Sequence, residues 1–353
     1  MTDDDAGTEP VQTAAPKRRH RGRRFALIFF SGLIVLALIA SGGLYLYSRH
    51  IVGQVSRVPD VFKIPEAERA SGGAKGDLNI LLAGSDVRAE GGTTGKVATG
   101  KEWAAGASRS DAIMVLHVDA DRDAAYVVSI PRDSWVTIPG KGKNKINAAF
   151  SLGGPSLYVK TVEKLTGVRI DHLAVIDFKG FQQLTNALGG VKIDIPEKAC
   201  GYDVGRYSMD GKEALEYVRQ RKCLADGDFG RVKRQQNFLR TLLGQTLAGG
   251  TFKSPRKVNG VLNAVTKNLS VDEQWSGGDM RNLAISLRNV RTSDIQFMTA
   301  PLADPATGRE GAASVVYLDG GKGDELWEAM RKDDVGTYLA TTQGADVLGD
   351  DVN

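Results

Sequence analysis

"DAIMVLHVDADRDAAYVVSIPRD", residues 111–133, holds two apolar runs, DAIMVLHVD and AAYVVSIPRD, separated by a polar turn. Both runs are rich in strand-forming residues and bounded by turn residues, which predicts a β-hairpin. Working outward, DLNILLAGSD at 77–86 reads as a buried strand that delivers a loop, and HLAVIDF and GVKIDIP read as further strands. Helices are predicted over GGPSLYVKTVEKLTG, with a glycine stop at Gly167, over FKGFQQLTNALGG, and at 211–220, 229–248, 255–268 and 278–290, before a strand DIQFMTAP. Strands and helices mix along the whole stretch. The fold class is therefore α/β or mixed α+β, with a central sheet covered by helices on both sides.

This globular pattern occupies residues 77–331. Residues 49–76, with Pro59, Pro65 and SGGAKG, read as a linker, and 332–353, polar and without period, as a flexible tail. Residues 1–24 form a basic-ended tail whose KRRHRGRR at 17–24 holds six Lys or Arg. The next 24 residues, 25–48, carry no charge. That length matches the roughly 20 apolar residues that cross a bilayer and is about twice the apolar core of a cleaved signal peptide, the competing reading. Basic residues ahead of the span place the N-terminus in the cytoplasm and everything from about residue 49 outside the cell membrane.

Over 353 residues the net charge is only +4, too mild to argue for nucleic acid as a partner. Cys200 and Cys223 fall in the exported part, where a disulfide is favoured over free thiols and would contribute about 3 kcal/mol by constraining the unfolded chain. The four His residues are scattered, so a metal held by His or Cys is not expected. GGTTGKVATGK at 91–101 fails as a phosphate-binding loop, with Glu90 in place of the first Gly and Val97 in place of Ser or Thr. No Ser-centred nucleophile elbow is present.

What remains is a set of polar clusters at the ends of apolar elements. DFGRVKRQQNFL at 228–239 sets Asp228, Arg231, Arg234 and Gln235 at helical spacing on one face, followed by an apolar stripe. SRSDAIMVL offers Arg109 and Asp111, SIPRDSW offers Arg132 and Asp133, and YVRQRKC offers Arg219 and Arg221. Two arginines two positions apart point nearly opposite ways on a helix, so the helix is expected to end near Arg219. Each cluster alone reads as a solvated helix face or a polar terminus. Together they suit phosphate: the arginine fork binds phosphate oxygens in pairs and stays charged. Asp86 and Asp111 suit magnesium, which is held by one or two carboxylates plus the substrate's phosphates.

In order and spacing, RSDAIMVL, SIPRDSWVTIP, KINAAFSLGG, GFQQLTNALGGVKIDIP, GKEALEYVRQR and GDFGRVKRQQNFL resemble the motifs of the LytR-CpsA-Psr family of cell-envelope proteins. The resemblance implies a phosphotransferase that takes a glycopolymer from a polyprenyl-pyrophosphate carrier, the donor, and joins it to peptidoglycan, the acceptor, at the membrane. It also implies Mg2+ or Mn2+ on Asp86 and Asp111, and pyrophosphate on Arg109, Arg132, Arg219, Arg221 and Arg231. Asp228, Arg234 and Gln235 would line the same pocket, and Lys145 belongs to the KIN motif. The lipid tail would enter an apolar channel between sheet and helices. Rival readings are a hydrolase of the same lipid pyrophosphates and a non-catalytic lipid-binding regulator of the envelope. Which polymer is moved, teichoic acid, arabinogalactan or capsule, has no readable code.

Overall fold

The computed structural model describes residues 55–87, 108–248 and 255–349; the expected tail at 1–24 and span at 25–48 lie outside the described residues. Among the described residues, no helix is long and apolar enough to cross a membrane. The described part opens with β1 (Ser56–Val58), β2 (Leu78–Val87), β3 (Ser108–Val118) and β4 (Ala125–Ser129), and β2 to β4 pair antiparallel. Every residue of β4 is buried, as expected of a strand covered on both faces. A small hairpin, β5 (Trp135–Ile138) and β6 (Gly142–Lys145), leads to α1 (Asn147–Thr166), which breaks at Gly153 and Gly154 and stops at Gly167 in the left-handed conformation. Then come β7 (His172–Asp177), α2 (Phe178–Ala187), β8 (Val191–Ile195), β9 (Gly205–Met209), α3 (Gly211–Arg219) and α4 (Asp228–Ala248). The remainder is α5 (Pro255–Asn268), β10 (Ser270–Asp272), α6 (Gly277–Ser286), β11 (Ile295–Thr299), the hairpin β12 (Leu302–Glu310) and β13 (Ala313–Leu318), α7 (Gly320–Arg331) and α8 (Val335–Thr341).

Seven strands form the central mixed sheet, in the order β1-β10-β7-β2-β3-β4-β11. Side chains alternate across it, so each strand feeds two cores. Leu81, Val115, Val128 and Leu173 pack on one face against Phe150 and Val159 of α1 and Trp327 and Met330 of α7. Ile80, Met114, Val127 and Phe297 pack on the other, against Met280 of α6 and Leu239 and Leu243 of α4. Helices thus cover both sides.

Two sequence expectations are corrected. From Val55 onward the expected linker is part of the fold. β1 pairs parallel with β10, Val58, Val61 and Ile64 join the core, and Arg69 donates to both carboxylate oxygens of buried Glu163. The residues after Lys332 are not a loose tail either. Val335 is fully buried, Asp333 bonds His117, and the Leu348 amide donates to the Phe297 carbonyl at 2.8 Å, which extends the sheet edge. The first segment packs through isolated apolar residues without a period, whereas Val335, Tyr338 and Leu339 of α8 stand at i, i+3 and i+4 and all pack on the core, a short helical period inside a polar stretch.

Candidate active site

Between the second face of the sheet and helices α2, α3 and α4 lies an apolar cavity of about 540 Å3. Its floor is made of small residues, Gly84, Ala112 and Ala174, and its walls include Phe181, Phe238 and Leu242. At Gly84 even a Cβ atom would meet that of Ala112 at 3.0 Å, so the strands approach closely here. A polar cleft of about 870 Å3 adjoins it, lined by Asp133, Lys145, Asn147 and Asp228 among others. Arg132 and Arg221 line both spaces. They stand where an apolar chamber meets a polar one.

Asp228 is the centre of the charged cluster. Arg231 Nη2 lies 2.9 Å from its Oδ2, while Arg132 Nη2 and Arg221 Nη1 each lie 3.9 Å from its Oδ1. Arg132 also reaches Asp111 Oδ1 at 2.5 Å, and Lys145 Nζ reaches Asp133 Oδ1 at 3.2 Å. Among the described residues lining the two spaces, six cationic side chains (Arg132, Lys145, Arg219, Arg221, Lys222, Arg231) face four carboxylates (Asp111, Asp133, Asp177, Asp228). Among the described residues, several buried atoms of the cluster have no hydrogen-bond partner: Asp228 Oδ1, Arg132 Nε, Arg231 Nε and Ser85 Oγ. Open polar atoms beside a cavity can be partnered by a ligand bound in it. Burial lowers the proton affinity of both Arg132 and Arg231. For Arg132 the nearby Asp228 and Asp111 outweigh burial and raise its pKa above the ordinary arginine value, whereas for Arg231 burial prevails and lowers it. Both stay charged at physiological pH.

The backbone explains the placement. The register of β2 and β3 slips between Gly84 and Ser85, since Gly84 faces Ala112 but Ser85 faces Ser110. Asp111 is the extra residue of this bulge, a device that re-aims a side chain next to a site. Asp86 and Arg109 are opposite one another in that register, and their side chains lie outside the described part. Arg132 leaves the end of β4 in a turn closed by Ser134 Oγ donating to the Pro131 carbonyl at 2.7 Å. α3 starts at a capping box of Asp210 and Glu213 and ends at Arg219, with Gln220 extended, so Arg219 and Arg221 both reach the cavity. The Arg219 guanidinium lies over the Phe178 ring, 4.3 Å from its centroid. A disulfide joins Cys223, two residues past Arg221, to Cys200 in the loop between β8 and β9, with 5.1 Å between Cα atoms.

Of the residues singled out in the sequence, Asp111, Arg132, Lys145, Arg219, Arg221, Asp228, Arg231 and Gln235 are brought together. Arg234 is not. It is fully buried, lies over the Tyr217 ring at 4.6 Å and donates to Gln220 Oε1 at 2.6 Å, away from both spaces. Sequence reading missed Ser85, Phe178 and Gln236. Gln236 donates to Ser129 Oγ and to the Met298 carbonyl and so ties α4 to the sheet. The repeated Gln in RQQNF was the signal available for it.

The model of the LytR_cpsA_psr family matches residues 56–332. The chain belongs to the LytR-CpsA-Psr family. LcpA of Corynebacterium glutamicum, named a cell wall biosynthesis protein, is 33% identical over 285 residues, 70% of this chain and 54% of that relative. The chain thus spans about half the length of that protein. TagU of Oceanobacillus iheyensis, named a polyisoprenyl-teichoic acid–peptidoglycan teichoic acid transferase, is 30% identical over 303 residues, 79% of this chain and 88% of the relative. Among solved structures, TagT of Bacillus subtilis bound to LI-WTA superposes with a TM-score of 0.57 at 24% identity, covering 76% of this chain and 95% of TagT. That likeness establishes the LytR-CpsA-Psr fold for the mixed sheet and its helices.

Proposed function

We propose that this LytR-CpsA-Psr protein is a membrane-anchored phosphotransferase that moves a glycopolymer from a polyprenyl-pyrophosphate carrier to peptidoglycan and leaves a phosphodiester link. The observation that carries this reading is the junction at Arg132 and Arg221, shared by the apolar and the polar space. A lipid pyrophosphate has the matching shape: an apolar tail, two charged phosphates and a polar glycan. Its negative charges suit a site where cationic side chains outnumber carboxylates among the described residues. The relative named as a teichoic acid transferase and the fold shared with a protein bound to LI-WTA support the same substrate class. The uncharged run at 25–48 behind a basic segment, and a disulfide in the folded part, support a single-span anchor with this domain outside the cell.

In this reading a sugar hydroxyl of peptidoglycan attacks the phosphorus bonded to the glycan, the bond from that phosphorus to the bridging oxygen breaks, and polyprenyl phosphate leaves. The protein positions the phosphates and neutralises charge, which is most of what phosphoryl transfer asks of it. Arg132, Arg221 and Arg231 hold the phosphate oxygens. Asp228 Oδ1, which has no hydrogen bond, is better placed to take the hydroxyl proton than Asp111, whose Oδ1 is held by Arg132. Asp111 lines the apolar space beside the arginines and fits a cation held by a carboxylate plus phosphate oxygens, so Asp111, with Asp86, would hold Mg2+ or Mn2+. When bound, such an ion supplies further neutralisation of the pyrophosphate charge.

The test uses labelled carrier-linked glycan with peptidoglycan. Label is expected in the polymer, with release of polyprenyl phosphate. Phosphate release without glycan attachment would replace transfer by hydrolysis.

A further inference from the structure

Beyond the polar cleft, a groove of about 390 Å3 is lined by residues of β5, β6, β13 and α7. Trp135 of β5 and Tyr317 of β13, both half-buried, form its sides, and buried Trp327 of α7 forms part of its floor. The Tyr317 ring lies over Gly308, where a Cβ atom would meet ring carbon Cε2 at 2.4 Å, and its hydroxyl donates to Glu310 Oε1 at 3.0 Å. The ring is thereby fixed as a plate. Lys143, Lys164 and Asp324 are exposed at the rim.

We propose that this groove is the subsite for the acceptor, holding sugar rings of the glycan strand whose hydroxyl attacks; the proposal rests on the transferase reading above. A pyranose presents apolar C–H faces and a polar rim of hydroxyls. Aromatic plates with a few placed donors and acceptors are the matching surface. The rim lysines suit the carboxylates of stem peptides. The donor's tail is assigned to the apolar cavity on the far side of Arg132 and Arg221, so the groove is left to the second substrate. Its position agrees. The same strands serve both spaces: Lys145 faces the cleft and Lys143 the groove, and Ser314 faces the cleft and Tyr317 the groove. Arg132 and Trp135 are at most about 10 Å apart along the chain. A short run of sugar rings covers that span.

The experiment compares the full chain with its Trp135→Ala and Tyr317→Ala variants, using soluble peptidoglycan fragments as acceptor. KM for the acceptor is expected to rise about tenfold in each, with Trp135→Phe close to wild type. KM for the donor and cleavage of donor without acceptor are expected to stay unchanged. Acceptor KM unaltered in both alanine variants, with melting temperatures at the wild-type value, would overturn the proposal and leave the transferase reading standing. Should the wild-type chain attach no glycan, the transferase reading fails instead. Calorimetric binding of the same fragments to wild type and Trp135→Ala then decides the groove: tighter binding by wild type upholds it as a glycan site, and equal binding sinks it.

Discussion

The two ends of the strand pair β2–β3 treat buried polar groups in opposite ways. At the end away from the site, Asn79 faces His117, the imidazole lies 2.8 Å from Asn79 Oδ1 and 2.9 Å from Asp333 Oδ1, and Asp333 Oδ2 accepts from the Ala120 amide. Nearby, Glu163 takes the Arg69 fork together with the amides of Ala70 and Ile170. Each side-chain atom named in these two networks has a polar partner within hydrogen-bond reach inside the chain. At the other end, Ser85, Arg132, Asp228 and Arg231 each keep a buried atom without a partner. A closed network costs little and fixes the fold, whereas an open one that borders a cavity holds desolvated charge that a ligand there can compensate. The contrast separates residues that hold the domain together from residues that act.

Substitutions of equal chemistry at the two ends sharpen this. Arg132→Ala at the open end should lower glycan transfer by at least about 100-fold, since it removes a charged donor at the phosphates. Arg69→Ala at the closed end should leave transfer near wild type but remove about 3–5 kcal/mol of stability, because it strands a buried Glu163. Thermal unfolding should show that as a drop of roughly 10 °C. Activity lost equally in both would erase the distinction. A smaller effect is expected from Cys223→Ser, which frees the segment carrying Arg221: transfer should fall about tenfold, and reductant should do the same to wild type but not to the variant.

The closed end should also leave a signature in pH. Burial holds His117 below the ordinary imidazole value, with Asp333 opposing it. The unfolded chain then takes up more protons than the folded one below about pH 6.5, so stability is full above that value and declines as pH falls. Melting temperature is expected to drop by a few degrees between about pH 7 and 5, with a flatter profile in His117→Gln. An equal slope in both would place the titrating group elsewhere.

Legibility in the sequence followed the strength of the local signal. β2, β3, β4 and β7 are dense apolar runs and could be read directly, the ends of β3 and β4 announced Asp111 and Arg132, and the helical spacing of DFGRVKRQQNFL announced Asp228. β6, whose four residues are GKNK, and β12, with LADPATGRE, carry almost no apolar content. They are strands because β5 accepts β6 and β13 accepts β12, which is tertiary information. The bulge that turns Asp111 toward the cavity and the floor of small residues are likewise invisible, since both depend on register across strands.

Arg234 supplies the finest division between the two kinds of residue. The sequence placed it with Asp228, Arg231 and Gln235 on one helix face, but helical geometry sets it about 60° beyond Arg231, and that rotation suffices to send it into the packing against Tyr217. Its Nε and Nη2 have no partner, yet they do not line the cavity. Burial accordingly lowers its pKa. Arg234→Met keeps the bulk while removing a buried cation, a change that is often neutral or stabilising. Transfer is expected to stay within about twofold of wild type, whereas Arg231→Met, one turn earlier and 2.9 Å from Asp228, should lose about 100-fold. A collapse of both would mean that an unpartnered guanidinium on this helix serves the site even when it faces away from it, and the rule that open groups lining the cavity mark function would fail where it is most local.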